Sequence, residues 1–237
     1  MRASSGGWGF ACSRNLRLPG ATRKGFAYGA SRPGVASCAG TRQIPDTSPG
    51  VHMHPQIQSL LDELTAVRAR WARLSAATPD DRWAVRAHPE SWSVAECIAH
   101  LNLTARAMQP LLEAATEQAR PRGPFSGTMK RSMFGAVLSS MVGPLMRLGS
   151  LRLGRVRTPP AFVPTGDEPR ATISGEFERH LASHEAALHA ADGLPLHLVT
   201  VASPFVSGAQ YDAYSAWLVL VRHCHRHLDQ AERVWSA

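Results

Sequence analysis

The sequence has few of the features that would link its function to a nucleotide, a disulfide framework or a known hydrolase motif. Its 237 residues include four cysteines, which form no Cys-x-x-Cys pair and are too sparse for a disulfide scaffold. It contains no Gly-rich phosphate loop, no Gly-x-Ser-x-Gly elbow and no His-Glu-x-x-His motif. Nothing therefore predicts nucleotide binding, α/β-hydrolase chemistry or zincin-type proteolysis, and the cysteine usage predicts a reducing compartment.

Acidic residues are almost absent from the first 52 residues, and this explains most of the basic net charge. That segment carries seven basic residues against Asp46 alone. Residues 53–237 hold 19 basic and 17 acidic residues, so the total of +8 comes mainly from segment 1–52. Because residues 53–237 are nearly neutral, they lack the positive charge that phosphate backbones attract, and we expect no nucleic-acid partner.

Segment 1–52 also lacks a sustained apolar periodicity that could build a core. It is rich in Gly, Ser, Ala and Arg, has no uninterrupted apolar run of the secretory kind, and contains Gly and Pro that interrupt any amphipathic helix. We expect a disordered basic extension over 1–52 and one folded domain over 53–237. Met53 directly precedes the first helical pattern, so a start codon placed too early is an alternative origin of the extension. The scarcity of lysine beside many Arg and Ala residues is typical of a high-GC genome and predicts a bacterial, cytoplasmic protein.

Apolar residues recur at helical spacing in four segments of the remaining chain. Ser93 and Glu96 form the capping-box pattern at the start of the second segment. Four amphipathic helices of this length predict an all-α four-helix bundle with an irregular insert between the second and third helices. The predicted helices cover about 57–74, 94–119, 170–191 and 209–235.

Histidines are the chemically distinctive residues of the predicted bundle. His223 and His227 stand at i and i+4 in the last helix, so both lie on one face, while His225 points away. His100 lies about two turns into the second helix, at the edge of its apolar stripe, where it can point into the core. A catalytic zinc-type site generally takes three protein ligands and leaves a position for water or substrate. The spacing makes His100, His223 and His227 the candidate metal ligands.

These histidines lie within two longer motifs. The first runs from Trp92 to Leu101, and the second reads His-x-x-Arg-His-Leu-x-Gln-Ala-x-Arg-Val from His223 to Val234. Together they resemble the DinB-like superfamily of metal-binding four-helix bundles, and the resemblance extends from about Met53 to the C-terminus. It implies a metal triad that maps onto the three histidines above, a divalent metal, often zinc or nickel, and thiol-dependent S-transferase or hydrolase-like chemistry.

A second histidine pair is the rival ligand set. His180 and His184 stand at i and i+4 in the third predicted helix. We expect both to be solvated or bundle-edge side chains, because the resemblance requires neither as a ligand. Cys97, three residues before His100, is interpreted as a small buried apolar side chain, and Glu96 as a helix cap.

The insert at 125–169 contains an uncharged apolar stretch at 132–146 with basic flanks. It is shorter than the roughly 20 residues that span a bilayer, and Gly143-Pro144 interrupts it. We interpret it as a flap over the mouth of the bundle or as a homodimer contact, with an interfacial helix as a third alternative. Membrane contact is not the expected function of the protein.

The predicted chemistry depends on the three imidazoles. They would leave coordination positions open, so that a bound water or low-molecular-weight thiol has its pKa lowered and becomes a nucleophile near neutral pH. We therefore expect a metal-dependent thiol transferase or hydrolase with a small-molecule substrate, in which no general base is identified. The alternative is a non-catalytic stress-response bundle that binds a metal or a small ligand. A fourth protein ligand would favour the alternative.

Overall fold

The computed structural model describes residues 52–142, 147–148, 151–152, 158–165 and 167–235. The disordered extension predicted for residues 1–52 lies outside these ranges, except for His52. Within them the chain is mostly helical, which confirms the all-α class. The helices are α1 (Pro55–Ala77), α2 (Asp80–Trp83), α3 (Val94–Ala119), α4 (Met133–Val142), α5 (Arg170–Ala190) and α6 (Ala213–Trp235). The strands are β1 (Arg147–Leu148), β2 (Leu151–Arg152), β3 (Thr200–Ala202) and β4 (Gln210–Asp212).

The four long helices form the predicted four-helix bundle. α3 packs against α5 and α6, and α1 packs against the same two helices. The order around the bundle is therefore α1, α6, α3 and α5. Their apolar stripes meet in one core, which contains large side chains that are fully buried. These include Trp71, Phe177, Ile98, Leu101, Met108, Leu112, Ile173, Leu181 and Trp217.

The N-terminus of α3 is fixed by the predicted capping box. The Ser93 hydroxyl accepts a hydrogen bond from the Glu96 backbone N–H at 3.1 Å, and the Ser93 N–H donates to the Glu96 carboxylate at 2.8 Å. Arg86 pairs with the same carboxylate. Burial alone would raise the pKa of Glu96, but the hydrogen bonds from Arg86 and Ser93 lower it overall. Glu96 is thus a helix cap, and it helps to fix the start of the helix that carries His100.

We predict that Ser93→Ala lowers the free energy of unfolding by about 1 kcal/mol, since one N-terminal backbone donor of α3 loses its acceptor. Urea denaturation of the two proteins measures this difference. Ser59→Ala, at an exposed position of α1, is the control and should change the stability by less than about 0.5 kcal/mol. Equal losses in the two variants would show that the cap is not responsible.

The start of α6 differs from the prediction. The last helix begins at Ala213 rather than near residue 209, because Gln210–Asp212 pair as β4 with β3. The Asp212 carboxylate then accepts hydrogen bonds from the backbone N–H of Ser215 and of Ser132, both at 2.7 Å. This hairpin was not predicted. It places Asp212 where its carboxylate caps the N-terminus of α6 and also binds the backbone of the insert at Ser132.

The insert contains α4, which lies along α6. A Cβ atom on Gly135 would overlap the hydroxyl of Ser215, so the two helices approach as closely as a glycine allows. Arg222 donates a hydrogen bond to the Ser139 carbonyl at 3.0 Å, and Arg226 donates to the Met141 carbonyl at the same distance. α4 is therefore fixed against the outside of the bundle, and β1 pairs with β2 farther along the insert.

Candidate metal centre

Three histidines converge between α3 and α6. One ring nitrogen from each of His100, His223 and His227 lies within 4.8 Å of the other two. The Nε2 atoms of His100 and His223 are 2.9 Å apart, and the His227 ring centroid lies 4.4 Å from each of the other two centroids. The i, i+4 spacing in α6 puts two of the rings on one face, and the facing position in α3 supplies the third. The structure thus brings together the three residues that the sequence singled out.

A backbone carbonyl orients the His100 ring. Nδ1 of His100 lies 2.7 Å from the carbonyl oxygen of Phe162. Because a carbonyl only accepts hydrogen bonds, Nδ1 carries the proton and donates it, and Nε2 keeps its lone pair directed at His223. Metal-binding histidines usually have such a partner on their second nitrogen. Phe162 was not predicted to belong to the site, and it comes from the short 3-10 turn Pro160–Phe162 in the insert.

Burial keeps the three imidazoles neutral. It lowers the pKa of His100 to about 4, against a weaker opposing effect of the Phe162 carbonyl. Burial also places the pKa values of His223 and His227 well below the ordinary histidine range, and the neighbouring histidines lower them further. A metal-binding imidazole must be unprotonated. At pH 7 the cluster is therefore in the protonation state that binds a cation.

Aromatic rings enclose the cluster. Trp92 stacks on His227 with ring centroids 5.7 Å apart and lies 4.9 Å from His100. Phe205, in the β3–β4 loop, stacks on His223 at 6.3 Å and contacts Phe162 at 4.9 Å. Apolar walls of this kind limit access of water and strengthen electrostatic interactions inside the site. Trp92 was part of the sequence motif, but its position as a wall of the site was not predicted.

A family model described as the DinB superfamily matches residues 63–231. The chain belongs to the DinB superfamily. The matched region includes all three clustered histidines and confirms the resemblance inferred from the sequence. No curated protein and no solved structure matches the chain significantly.

The rival pair, His180 and His184, lies outside the three-histidine cluster. His180 pairs with Glu176 at 3.2 Å, at the edge of the bundle. The prediction that His184 is solvated or at the bundle edge is wrong, because its side chain is 2 % exposed and lies edge-on to Trp217 at 6.0 Å. The reason is its spacing: residue 184 continues the i+3, i+4 row of apolar positions on α5. The pair does not join the three-histidine cluster.

The two remaining candidate ligands, His225 and Cys97, do not belong to the cluster. His225 faces α1, where its ring lies 2.8 Å from the Glu63 carboxylate, so it points away from the cluster as predicted. Cys97 is buried, and burial raises the pKa of its thiol, which keeps it protonated. Within the described ranges, no fourth His, Cys, Asp or Glu joins the three histidines. Such an arrangement has the ligand number of a catalytic rather than a structural zinc site.

Proposed function

We propose that this DinB-superfamily protein is a metal-dependent enzyme in which His100, His223 and His227 hold a zinc or nickel ion. We further propose that the ion activates a low-molecular-weight thiol for transfer to a small electrophilic substrate. The proposal is carried by one observation: three neutral imidazoles, of which His100 and His227 are buried and His223 is half-buried, present nitrogens within 4.8 Å of one another on two packed helices. The superfamily binds metals, which supports the same assignment.

The donor set fits such an ion. Nδ1 of His227 is buried and has no hydrogen-bond partner among the described residues. Burying a polar nitrogen without a partner costs free energy, and ligation of a cation is one way in which protein sites offset that cost. Imidazole is a common ligand of both zinc and nickel. The lone pair of His100 Nε2, fixed by the Phe162 carbonyl, adds a second directed donor.

The protein contributes orientation and electrostatics to the proposed reaction. A divalent cation held by the three neutral imidazoles would supply Lewis acidity, which would lower the pKa of a bound thiol or water. The Phe162 carbonyl holds the proton on His100 Nδ1, and the rings of Trp92 and Phe205 exclude water from one side of the cluster. Burial is the main cause of the low pKa values of His223 and His227, and the positive charge of Arg226 lowers them further. The same charge favours an anionic nucleophile nearby.

The carboxylates close to the histidines along the chain are paired with arginines, which favours a thiol over water as the nucleophile. Glu96 is paired with Arg86, and Asp229 is paired with Arg70. Neither is therefore placed as a free general base beside the histidines. A thiol, with an ordinary pKa of about 8.5, needs much less activation than water, with a pKa of about 15.7. We therefore rank thiol transfer first and metal-assisted hydrolysis second.

The test begins with metal analysis of protein purified without a histidine tag. The same protein is then incubated with cysteine or glutathione and a panel of alkyl and aryl halides, epoxides and activated esters, and loss of free thiol is followed. We expect metal-dependent thiol consumption that His223→Ala abolishes and His225→Ala leaves intact. Ester cleavage without loss of thiol would support the hydrolase, and bound metal with neither reaction would support the non-catalytic binding protein.

A further inference from the structure

The outer face of α4 is an exposed apolar surface. Large apolar side chains with high exposure number eight in the described part of the chain, and half of them lie on this ten-residue helix. Single exposed apolar residues are common on soluble proteins, whereas a contiguous group marks an interaction site. The four are Met133 (87 % exposed), Phe134 (42 %), Val137 (53 %) and Met141 (47 %). We call them the α4 face.

The packing of α4 on α6 keeps the α4 face directed outwards. Gly135 and Ser139, on the opposite side of the helix, are buried against α6. Arg222 and Arg226 hold the carbonyl groups near the C-terminal end of α4. Rotating the helix to bury Met133 would break both hydrogen bonds and expose the close glycine contact. The exposure is therefore a property of the packed helix.

All the charged residues in the sequence around α4 are basic. Residues 118–166 include eight Arg and Lys residues and no Asp or Glu. The remainder of residues 53–237, namely 53–117 and 167–237, has the opposite balance, with 17 acidic and 11 basic residues. Lys130 and Arg131, immediately before α4, are both exposed. An apolar face beside exposed cations is the combination found in interfacial helices that bind anionic membranes.

We propose that the α4 face docks the protein on an anionic lipid bilayer, with its apolar side chains entering the headgroup region and Lys130 and Arg131 meeting lipid phosphates. No helix in the described ranges is long and apolar enough to cross a membrane, so the contact is peripheral. A second copy of the chain fits the face less well, because two such faces would bring together two segments without any acidic residue. A nucleic acid would match the charges but not the apolar side chains.

The experiment measures co-sedimentation of the full chain with phosphatidylcholine vesicles, with and without phosphatidylserine. We expect binding to the anionic vesicles, weakened about tenfold by the double change Met133→Ser and Val137→Ser. Lys130→Gln should weaken it about fivefold. The matched control changes two exposed apolar residues elsewhere, Val85→Ser and Leu198→Ser, and should bind like the wild type. The basic segment 1–52 is present in every variant, so its contribution cancels in the comparison.

Thermal melting of each variant establishes that the fold is retained, which is expected because all the changed side chains are exposed. Vesicle binding that is unaffected by the α4 double change would overturn the proposal. So would a dimeric wild type that the double change makes monomeric, because a second copy would then cover the face. Equally tight binding to duplex DNA that depends on Lys130 and not on Met133 and Val137 would assign the surface to nucleic acid instead.

Discussion

Alanine at His100, His223 or His227 should reduce the metal content of the purified protein to background. Each change removes one of three nitrogens that lie within 4.8 Å of one another, and two imidazoles alone make a poor site. Loss of a residue that only orients a ligand already weakens metal binding about 10- to 100-fold, so loss of a ligand itself should weaken it more than about 100-fold. Plasma mass spectrometry and a competition titration with a chromogenic chelator measure the effect.

Two histidines provide matched controls for this experiment. His225 lies on the same helix as His223 and His227 but faces Glu63, and His180 belongs to the rival pair on α5. His225→Ala and His180→Ala should keep metal content near that of the wild type. If metal survives in His100→Ala and is lost in His180→Ala or His184→Ala, then the ligand assignment is wrong and the proposed thiol activation fails with it.

The local parts of the site were predictable from the sequence because their signals are local. Ser93 and Glu96 are three residues apart, and the capping box they predict is present. His223 and His227 are four residues apart, and helical geometry alone places them on one face. The bundle followed from the 3.6-residue period of four segments, which binary patterning specifies strongly. Each of these inferences needed only the identity of residues within a few turns of one another.

The parts that were missed depend on contacts between distant residues. The Phe162 carbonyl that orients His100 is 62 positions away, and a backbone carbonyl has no side-chain identity that a pattern could detect. The β3–β4 hairpin and the later start of α6 depend on pairing between residues such as Val201 and Tyr211. The outward face of α4 depends on the fit of Gly135 against Ser215. Tertiary packing decided all three.

The burial of His184, which was not predicted, has the clearest consequence for stability. Its side chain is buried beside Trp217, its Nδ1 atom has no hydrogen-bond partner among the described residues, and burial lowers its pKa to about 4. In the unfolded chain a histidine has a pKa near 6.5. As the pH falls below about 6.5, this histidine is protonated in the unfolded chain, whereas in the folded protein it stays neutral until about pH 4. The folded state therefore loses stability between these two pH values.

We expect this single site to lower the free energy of unfolding of the wild type by about 3 kcal/mol between pH 7 and pH 4. Each unit of pKa difference between the folded and unfolded states corresponds to about 1.4 kcal/mol. His184→Leu removes the titrating group and keeps an apolar side chain of similar reach in the row on α5. Urea denaturation at a series of pH values should show the variant gaining stability over the wild type as the pH falls from 7 to 4. His189→Leu, at an exposed position of the same helix, is the matched control and should show no such gain, because its side chain is not buried. A stability difference between wild type and His184→Leu that stays constant across this range would mean that His184 is hydrated or protonated in the folded protein.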